Sequence, residues 1–329
     1  MHWGSVTMRD KMLLGAVALS ALVTLVHCKT KTTADEKTCE GAAALTASVF
    51  KGSSLPPKTL ALTFDDGPGD RTAELSLYLK EQGIEAGFFV NGMRIDANAG
   101  PILQGLIDDG HIVANHTEDH MSLTGVTDGK PRPAAEVIVN EIAATDAKIL
   151  PYVPSGRFLF RPPYGDFDGD TLAAIAPTPM NKYVGPISWD IGDRMDAANS
   201  KAADWDCWQD GADLQRLSVQ ACGDLYLAEI RHAGRGIVLM HDPYFNDLDP
   251  AKGGTVDMIK YMVPILKAEG FQFTRVDKVP DIDSKLTPLA NPGGEPGGEQ
   301  QPGNENPQQP GNGEQQGGAE NVGGENPCP

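Results

Sequence analysis

Seven short apolar runs recur through the middle of this chain, and stretches of helical periodicity lie between several of them. The runs are Thr59–Phe64, Ala86–Asn91, His111–Asn115, Arg157–Phe160, Tyr183–Trp189, Gly236–Met240 and Phe271–Val276. The helical stretches are Ala73–Glu81, Pro101–Asp109, Ala134–Ile149, Leu214–His232 and Val256–Ala268. Alternation of this kind predicts an α/β fold with parallel strands, because each helix returns the chain to the same end of the sheet. A barrel and an open doubly wound sheet both satisfy the pattern, since periodicity carries no information about closure.

The chemistry-bearing residues sit where the runs stop. Leu60-Ala61-Leu62-Thr63-Phe64 leads straight into Asp65 and Asp66 and is halted by Gly67-Pro68. Neighbouring side chains on a strand point to opposite faces, so the two carboxylates are expected to do different jobs. Asp-Asp-Gly-Pro is also ordinary turn chemistry, so the segment alone decides nothing. The run His111–Asn115 ends in a loop carrying His116 and His120. If the chain turns helically there, both imidazoles lie on one face. Two histidines and a carboxylate form a common ligand set for a divalent metal that keeps positions open for water and substrate. The same set suits Fe(II) in a non-haem oxygenase. Asn115-His116-Thr117 also matches a glycosylation acceptor, but a metal loop is a poor place for a glycan.

Thr63-Phe64-Asp65-Asp66-Gly67-Pro68 followed by His116-Thr117-x-x-His120 resembles the first two signatures of the polysaccharide deacetylases, the NodB-homology or carbohydrate esterase family 4 enzymes. Two further matches come in order: Arg161-Pro162-Pro163-Tyr164-Gly165 after an apolar run, and Leu239-Met240-His241 at the end of another. The resemblance implies an irregular (β/α) barrel with about seven strands, spanning residues 58–282. It implies a divalent metal, zinc with cobalt or manganese as alternatives, held by Asp66, His116 and His120. Asp65 would act as general base and His241 as general acid. Arg161 would pair with Asp65 and hold its pKa low. The backbone N–H of Tyr164 would face the developing oxyanion, and Leu239 would line a pocket for a methyl group.

One family signature, an Asp-Trp pair after a strand, departs from the pattern. Asp190-Ile191-Gly192-Asp193-Arg194-Met195-Asp196 has no tryptophan after Asp193 or Asp196. A literal Asp204-Trp205 comes later, in a long acidic loop that also holds Asp206-Cys207-Trp208. The order of preference for the aspartate that orients His241 is Asp204, Asp193, Asp196.

At the N-terminus, Arg9 and Lys11 precede an apolar stretch from Met12 to Val26. That is shorter than the roughly 20 residues that span a bilayer, so residues 1–27 read as a cleaved signal peptide. Leu25-Val26-His27-Cys28 resembles a lipoprotein processing box, although His27 replaces the usual small residue. The expectation is an exported protein, either secreted or attached to the membrane through lipidated Cys28, with residues 28–57 as a tether. Of the 5 cysteines, Cys207 and Cys222 are expected to pair and staple the long loop, while Cys39 and Cys328 would tie the ends. Residues 283–329 are expected to be a disordered tail, because from Asn291 onward the chain is Gly, Pro, Gln, Asn and Glu with few apolar residues to bury.

A net charge of −18 argues against nucleic acid or an anionic membrane surface as partners. The expected activity is removal of N-acetyl groups from an envelope or extracellular polysaccharide, peptidoglycan or a chitin-like N-acetylglucosamine polymer. An O-acetyl xylan-type esterase is the first alternative. A catalytically decayed glycan-binding protein is the second, motivated by the missing tryptophan after Asp193 and the enlarged loop. An oxygenase would leave Asp65 and His241 without a purpose.

Overall fold

The structure, a computed structural model, describes residues 45–154, 156–208, 217–242 and 254–286. Strand β1 (Leu45–Phe50) leads into β2 (Thr59–Gly67), α1 (Thr72–Glu81), β3 (Gly87–Val90), α2 (Ala99–Asp108) and β4 (Ile112–Asn115). Next come α3 (Ala135–Ile149), α4 (Gly169–Ile175), β5 (Gly185–Ile187) and the short α5 (Asp204–Cys207). The remainder is α6 (Val219–Ala233), β6 (Gly236–His241), α7 (Thr255–Ala268), β7 (Gln272–Phe273) and α8 (Pro280–Asp283).

A parallel ladder runs β4-β3-β2-β6, and β7 pairs with the start of β2. Strand β1 pairs in parallel with β5. The far side is joined by single bridges: Asn115 with Phe160, Leu159 with Val184, and Ile191 with Val238. This is an irregular α/β barrel, with continuous ladders on one wall and isolated bridges on the other.

Strand alternation separates two of the three apolar clusters of the core. Leu60, Leu62 and Phe64 of β2 join Phe88, Val90, Val113, Val238 and Met240 in a cluster with Leu75 and Leu79 of α1 and Met262 and Leu266 of α7. The intervening Ala61 joins Phe89, Ile112, Ala114, Leu159 and Ile237 in a second cluster. Val276, Val279 and Ile282 extend that second cluster at the N-terminal ends of the strands. Each fully buried Phe or Leu stabilises the fold by roughly 1.5–3 kcal/mol relative to exposure. Thr63 and Asp65 continue the inner face of β2, so a polar site sits at the C-terminal end of an apolar interior.

Several boundaries differ from the expectations. Regular structure lies before residue 58: Leu45–Phe50, placed within the tether, is a strand with Leu45 buried against Phe160 and Tyr183. Past residue 282, Leu286 is buried. The run Arg157–Phe160 contracts to bridges at Leu159 and Phe160, and Pro162 and Pro163, which lack the N–H that a ladder needs, follow it directly. Its first residue turns its guanidinium to Asp277 and Asp283 instead. Tyr183–Trp189 shortens to β5 around Pro186, and Phe271–Val276 to β7 before a 3-10 turn at Val276–Lys278.

Helix α4 was not expected; Asp168 caps it by accepting the N–H of Thr171. Helix α6 starts at Val219, capped by Ser218, so Leu217 and Ser218 lie outside it, and residues 214–216 are outside the described residues. Cys207 and Cys222 are disulfide-bonded. Residues 1–27, Cys28, the Cys39–Cys328 pairing and residues 287–329 lie outside the described residues. Among the described residues, no helix is long and apolar enough to cross a membrane.

Candidate active site

Strand β2 does not end as an ideal strand. Its register against β3 slips between Asp65 and Gly67, and Asp66 takes φ +69. That local bulge breaks the alternation that would otherwise turn Asp66 away from its neighbour. Thr117 (φ +67), His120 (φ +61) and Tyr164 (φ +59) are also left-handed, so four strained non-glycine residues converge on one mouth.

Within that mouth one ligand atom each of Asp66, His116 and His120 lies within 4.8 Å of the others. Asp66 Oδ1 is 3.5 Å from His116 Nε2 and 3.3 Å from His120 Nε2. A tetrahedral site with bonds of about 2.0–2.2 Å would hold its ligand atoms roughly 3.4 Å apart. Asp66 Oδ1 is buried and has no hydrogen-bond partner. His116 Nδ1 lies 2.7 Å from the carbonyl of Arg161. A carbonyl can only accept, so Nδ1 carries the proton and the Nε2 lone pair faces the centre. Burial, aided by His120 and Arg161 and opposed by Asp66, holds the His116 imidazolium pKa down to about 3, so the ring is neutral near pH 7. The donor set, the orphaned carboxylate oxygen and the fixed tautomer fit a divalent cation.

The loop holding both histidines is tied down from below. Asn115, at the end of β4, accepts the N–H of Thr117 and donates to the carbonyl of Ile142 and to Tyr183. Its own carbonyl accepts the N–H of Arg161. Asn91 donates to the carbonyl of His116. The end of β4 thus sets both His116 and Arg161.

Arg161 is completely buried. Its Nη1 donates to Asp65 Oδ1 at 2.6 Å and to Thr63 Oγ1 at 3.0 Å, two residues on the same face of β2. Nε and Nη2 donate to the carbonyls of Ile187 and Ser188, and the guanidinium lies 4.1 Å from the Phe89 ring centroid. The pairing matches the expectation, and Arg161 does pull the Asp65 pKa down, but the net shift is upward. Burial pushes the Asp65 carboxyl above its ordinary range and outweighs Arg161, His241 and His120, which pull it down. The other oxygen, Oδ2, is 3.6 Å from His116 Nε2, toward the candidate metal centre.

His241 stands opposite Asp65 in the β2–β6 register. Its Nδ1 is 2.8 Å from Asp204 Oδ1, while Asp204 Oδ2 accepts the His241 backbone N–H at 2.6 Å. Burial disfavours the imidazolium, but the charge and hydrogen bond of Asp204, with Asp66 and Asp65 beyond, raise its pKa to about 9. Asp193 and Asp196 face elsewhere: Asp193 accepts the Trp189 indole N–H, and Asp196 closes a surface turn with Asn199. Leu239 shares the His241 face of β6 and is 4% exposed. Tyr164 sits in the turn Pro163–Gly165, its half-exposed ring edge-on to His120 at 4.6 Å. Thr63 and Asn115, which stand in the quoted motifs without a role assigned there, and Tyr226, which no local pattern marks, all support these groups.

Comparison with known proteins adds an independent line. The polysaccharide deacetylase family profile matches residues 52–182. A chitooligosaccharide deacetylase of Rhizobium leguminosarum bv. trifolii is 28% identical over 229 residues, covering 68% of this chain and 92% of that protein. Chitin deacetylase 1 of Cryptococcus neoformans var. grubii is 31% identical over 211 residues, covering 64% of this chain and only 41% of that protein. A solved peptidoglycan N-acetylglucosamine deacetylase superposes with a TM-score of 0.51 at 22% identity, covering 70% of this chain and 91% of that one. At that identity the superposition speaks for the fold alone.

Proposed function

Because this chain belongs to the polysaccharide deacetylase family, we propose that it is an exported, metal-dependent hydrolase that removes N-acetyl groups from a polysaccharide of the cell envelope or its surroundings. Peptidoglycan or a chitin-like N-acetylglucosamine polymer is the substrate class this reading favours. The observation that carries it is the convergence of Asp66, His116 and His120 beside Asp65 and His241, which face each other across neighbouring strands. The names of the chitooligosaccharide and chitin deacetylases among the relatives support the amide over other acyl bonds. The N-terminal charge and apolar pattern support export and lipidation at Cys28.

Asp66, His116 and His120 would hold the ion, and two imidazoles with one carboxylate suit zinc, with cobalt or manganese as alternatives. A divalent ion there supplies Lewis-acid polarisation of the acyl carbonyl and of water. Asp65 keeps Oδ1 on Arg161 and turns Oδ2 to the centre, where it accepts a proton as water adds to the carbonyl carbon. The Tyr164 backbone N–H is the proposed donor to the oxyanion. His241 holds Asp204 at Nδ1, so Nε2 passes a proton to the leaving nitrogen as the C–N bond breaks. The products are acetic acid, which ionises to acetate in solvent, and the free amine; the proton Asp65 gains matches the one His241 gives up. Leu239, on the His241 face, is the proposed wall for the acetyl methyl.

Acetate release from an N-acetylglucosamine tetramer tests this reading. Release should stop with a chelator, return with added zinc, and fall by about 100-fold or more in Asp65→Asn, in line with loss of a general base. Unchanged release in that variant would remove Asp65 from its role.

A further inference from the structure

Resting on that reading, the geometry points to one more residue that governs the acid side of the reaction. Tyr226 lies within α6 and is fully buried. Its hydroxyl makes two hydrogen bonds at once. It donates to the carbonyl of Leu239 at 3.0 Å and accepts the backbone N–H of Asp204 at 3.0 Å. Leu239 is two residues before His241 in β6, and Asp204 is the carboxylate on His241 Nδ1. One oxygen therefore fixes the start of α5 against the end of β6, the two elements whose side chains meet at 2.8 Å. Burial raises the phenol's pKa well above its ordinary range, so the donor proton is always present.

The surroundings show how closely this junction is built. Cys222, Tyr226 and Glu229 recur at helical spacing and share one face of α6. Cys222 is bonded to Cys207 at the end of α5, and Glu229 accepts the N–H groups of Gly192 and Ala202. Gly192 has φ +97, and a Cβ there would meet the Leu239 carbonyl at 2.3 Å and the Tyr226 hydroxyl at 3.2 Å. Only glycine lets the loop come this close. The face of α6 thus holds the long loop at three points, and Tyr226 is the one that touches both Asp204 and β6.

We propose that Tyr226 is a positioning residue for the His241–Asp204 pair, required in proportion to how much the leaving group depends on a proton. An amine or alkoxide leaves only when protonated; a nitrophenolate leaves without help. Tyr226→Phe deletes one oxygen and keeps the ring, so the pair should lose alignment while the centre at Asp66, His116 and His120 stays in place. A misplacement near 1 Å can cost about 100-fold. In Tyr226→Phe, kcat for acetate release from the N-acetylglucosamine tetramer should fall about 10- to 100-fold with KM within roughly twofold. Cleavage of 4-nitrophenyl acetate by the same zinc-loaded protein should change less than about threefold.

Equal losses on both substrates would overturn the proposal in favour of general distortion, and so would an unchanged kcat on the tetramer. A wild-type protein that deacetylates O-acetyl xylan but not the tetramer would defeat the N-acetyl reading alone. The xylan alkoxide would then replace the amine in the same comparison. If the wild type turns over neither polymer, amide exchange decides: the Asp204 N–H should exchange about 10-fold or more faster in Tyr226→Phe, as expected for a lost acceptor. Unchanged exchange there would end the proposal whatever the activity.

Discussion

Replacing Arg161 by methionine asks how much of the fold depends on the buried Arg161–Asp65 ion pair. Arg161 is 0% exposed and Asp65 3% exposed, and the guanidinium fills four acceptors: Asp65, Thr63, Ile187 and Ser188. Methionine keeps an unbranched apolar side chain but removes every donor and the guanidinium that lies over the Phe89 ring. Removing one partner of a buried pair costs about 3–5 kcal/mol, because the other charge stays buried without compensation. At roughly 2–4 °C per kcal/mol for a domain of this size, the melting temperature should fall by roughly 6–20 °C. Adding Asp65→Asn removes the stranded charge, so the double variant should be more stable than Arg161→Met by about 1–3 kcal/mol. Acetate release should be lost in both variants, which separates stability from chemistry.

The pH dependence has a definite sign. Burial already lifts the Asp65 pKa, and losing Arg161 lifts it further. The folded variant then holds a proton that the unfolded chain releases, so its stability deficit shrinks as pH falls through that raised value. Urea denaturation in chelator, at pH 7 and at pH 5, measures this directly. A single variant within 1 kcal/mol of wild type, or a double variant no better than it, would refute the reasoning.

Two further outcomes are expected. Asp204→Asn removes the charge and the hydrogen bond that raise the His241 pKa most, leaving only Asp66 and Asp65 against burial, which lowers it; since the proposed acid works only while protonated, an alkaline limb set by His241 at about 9 should move to lower pH, with kcat reduced about 100-fold. A pH–rate profile with an unmoved limb would sever the pair. Cys207→Ser with Cys222→Ser opens a loop of separation 15, which should cost about 3 kcal/mol in denaturant, and a reductant should reproduce the loss in the wild type; equal midpoints would show that the loop is held without the bond.

The strand ends were legible because their information is local. An apolar run, two carboxylates and a Gly-Pro stop lie within nine residues at Leu60–Pro68, and the structure keeps them together. Helices α1, α2, α3 and α7 match their periodic stretches to within two residues. Asp204 was legible through the Trp205 beside it. Thr63, Asn115 and Tyr226 were not, because each matters through a partner far along the chain. Tyr226 reaches across 22 residues to Asp204, a distance that no window of periodicity covers. The net direction of the Asp65 shift was hidden for a related reason. A sequence names the charges near a group and says nothing about how completely water is excluded from it. Strand β1 was missed because its six residues, Leu45–Phe50, mix apolar with Thr and Ser and gain their order only beside β5.

The bulge at Asp66 limits which amino acids could ever replace the candidate ligands there. Positions 66 and 120 are both left-handed, and Asn, Asp and His are the non-glycine types that enter that region most readily. A chemist exchanging the aspartate for Glu or Cys to court a different ion would also force an unwilling backbone, at about 1–3 kcal/mol before any bond to the ion formed. Coordination and conformation here draw on one short vocabulary of residues, so redesign for another metal has to begin with the turn and only then choose the donor.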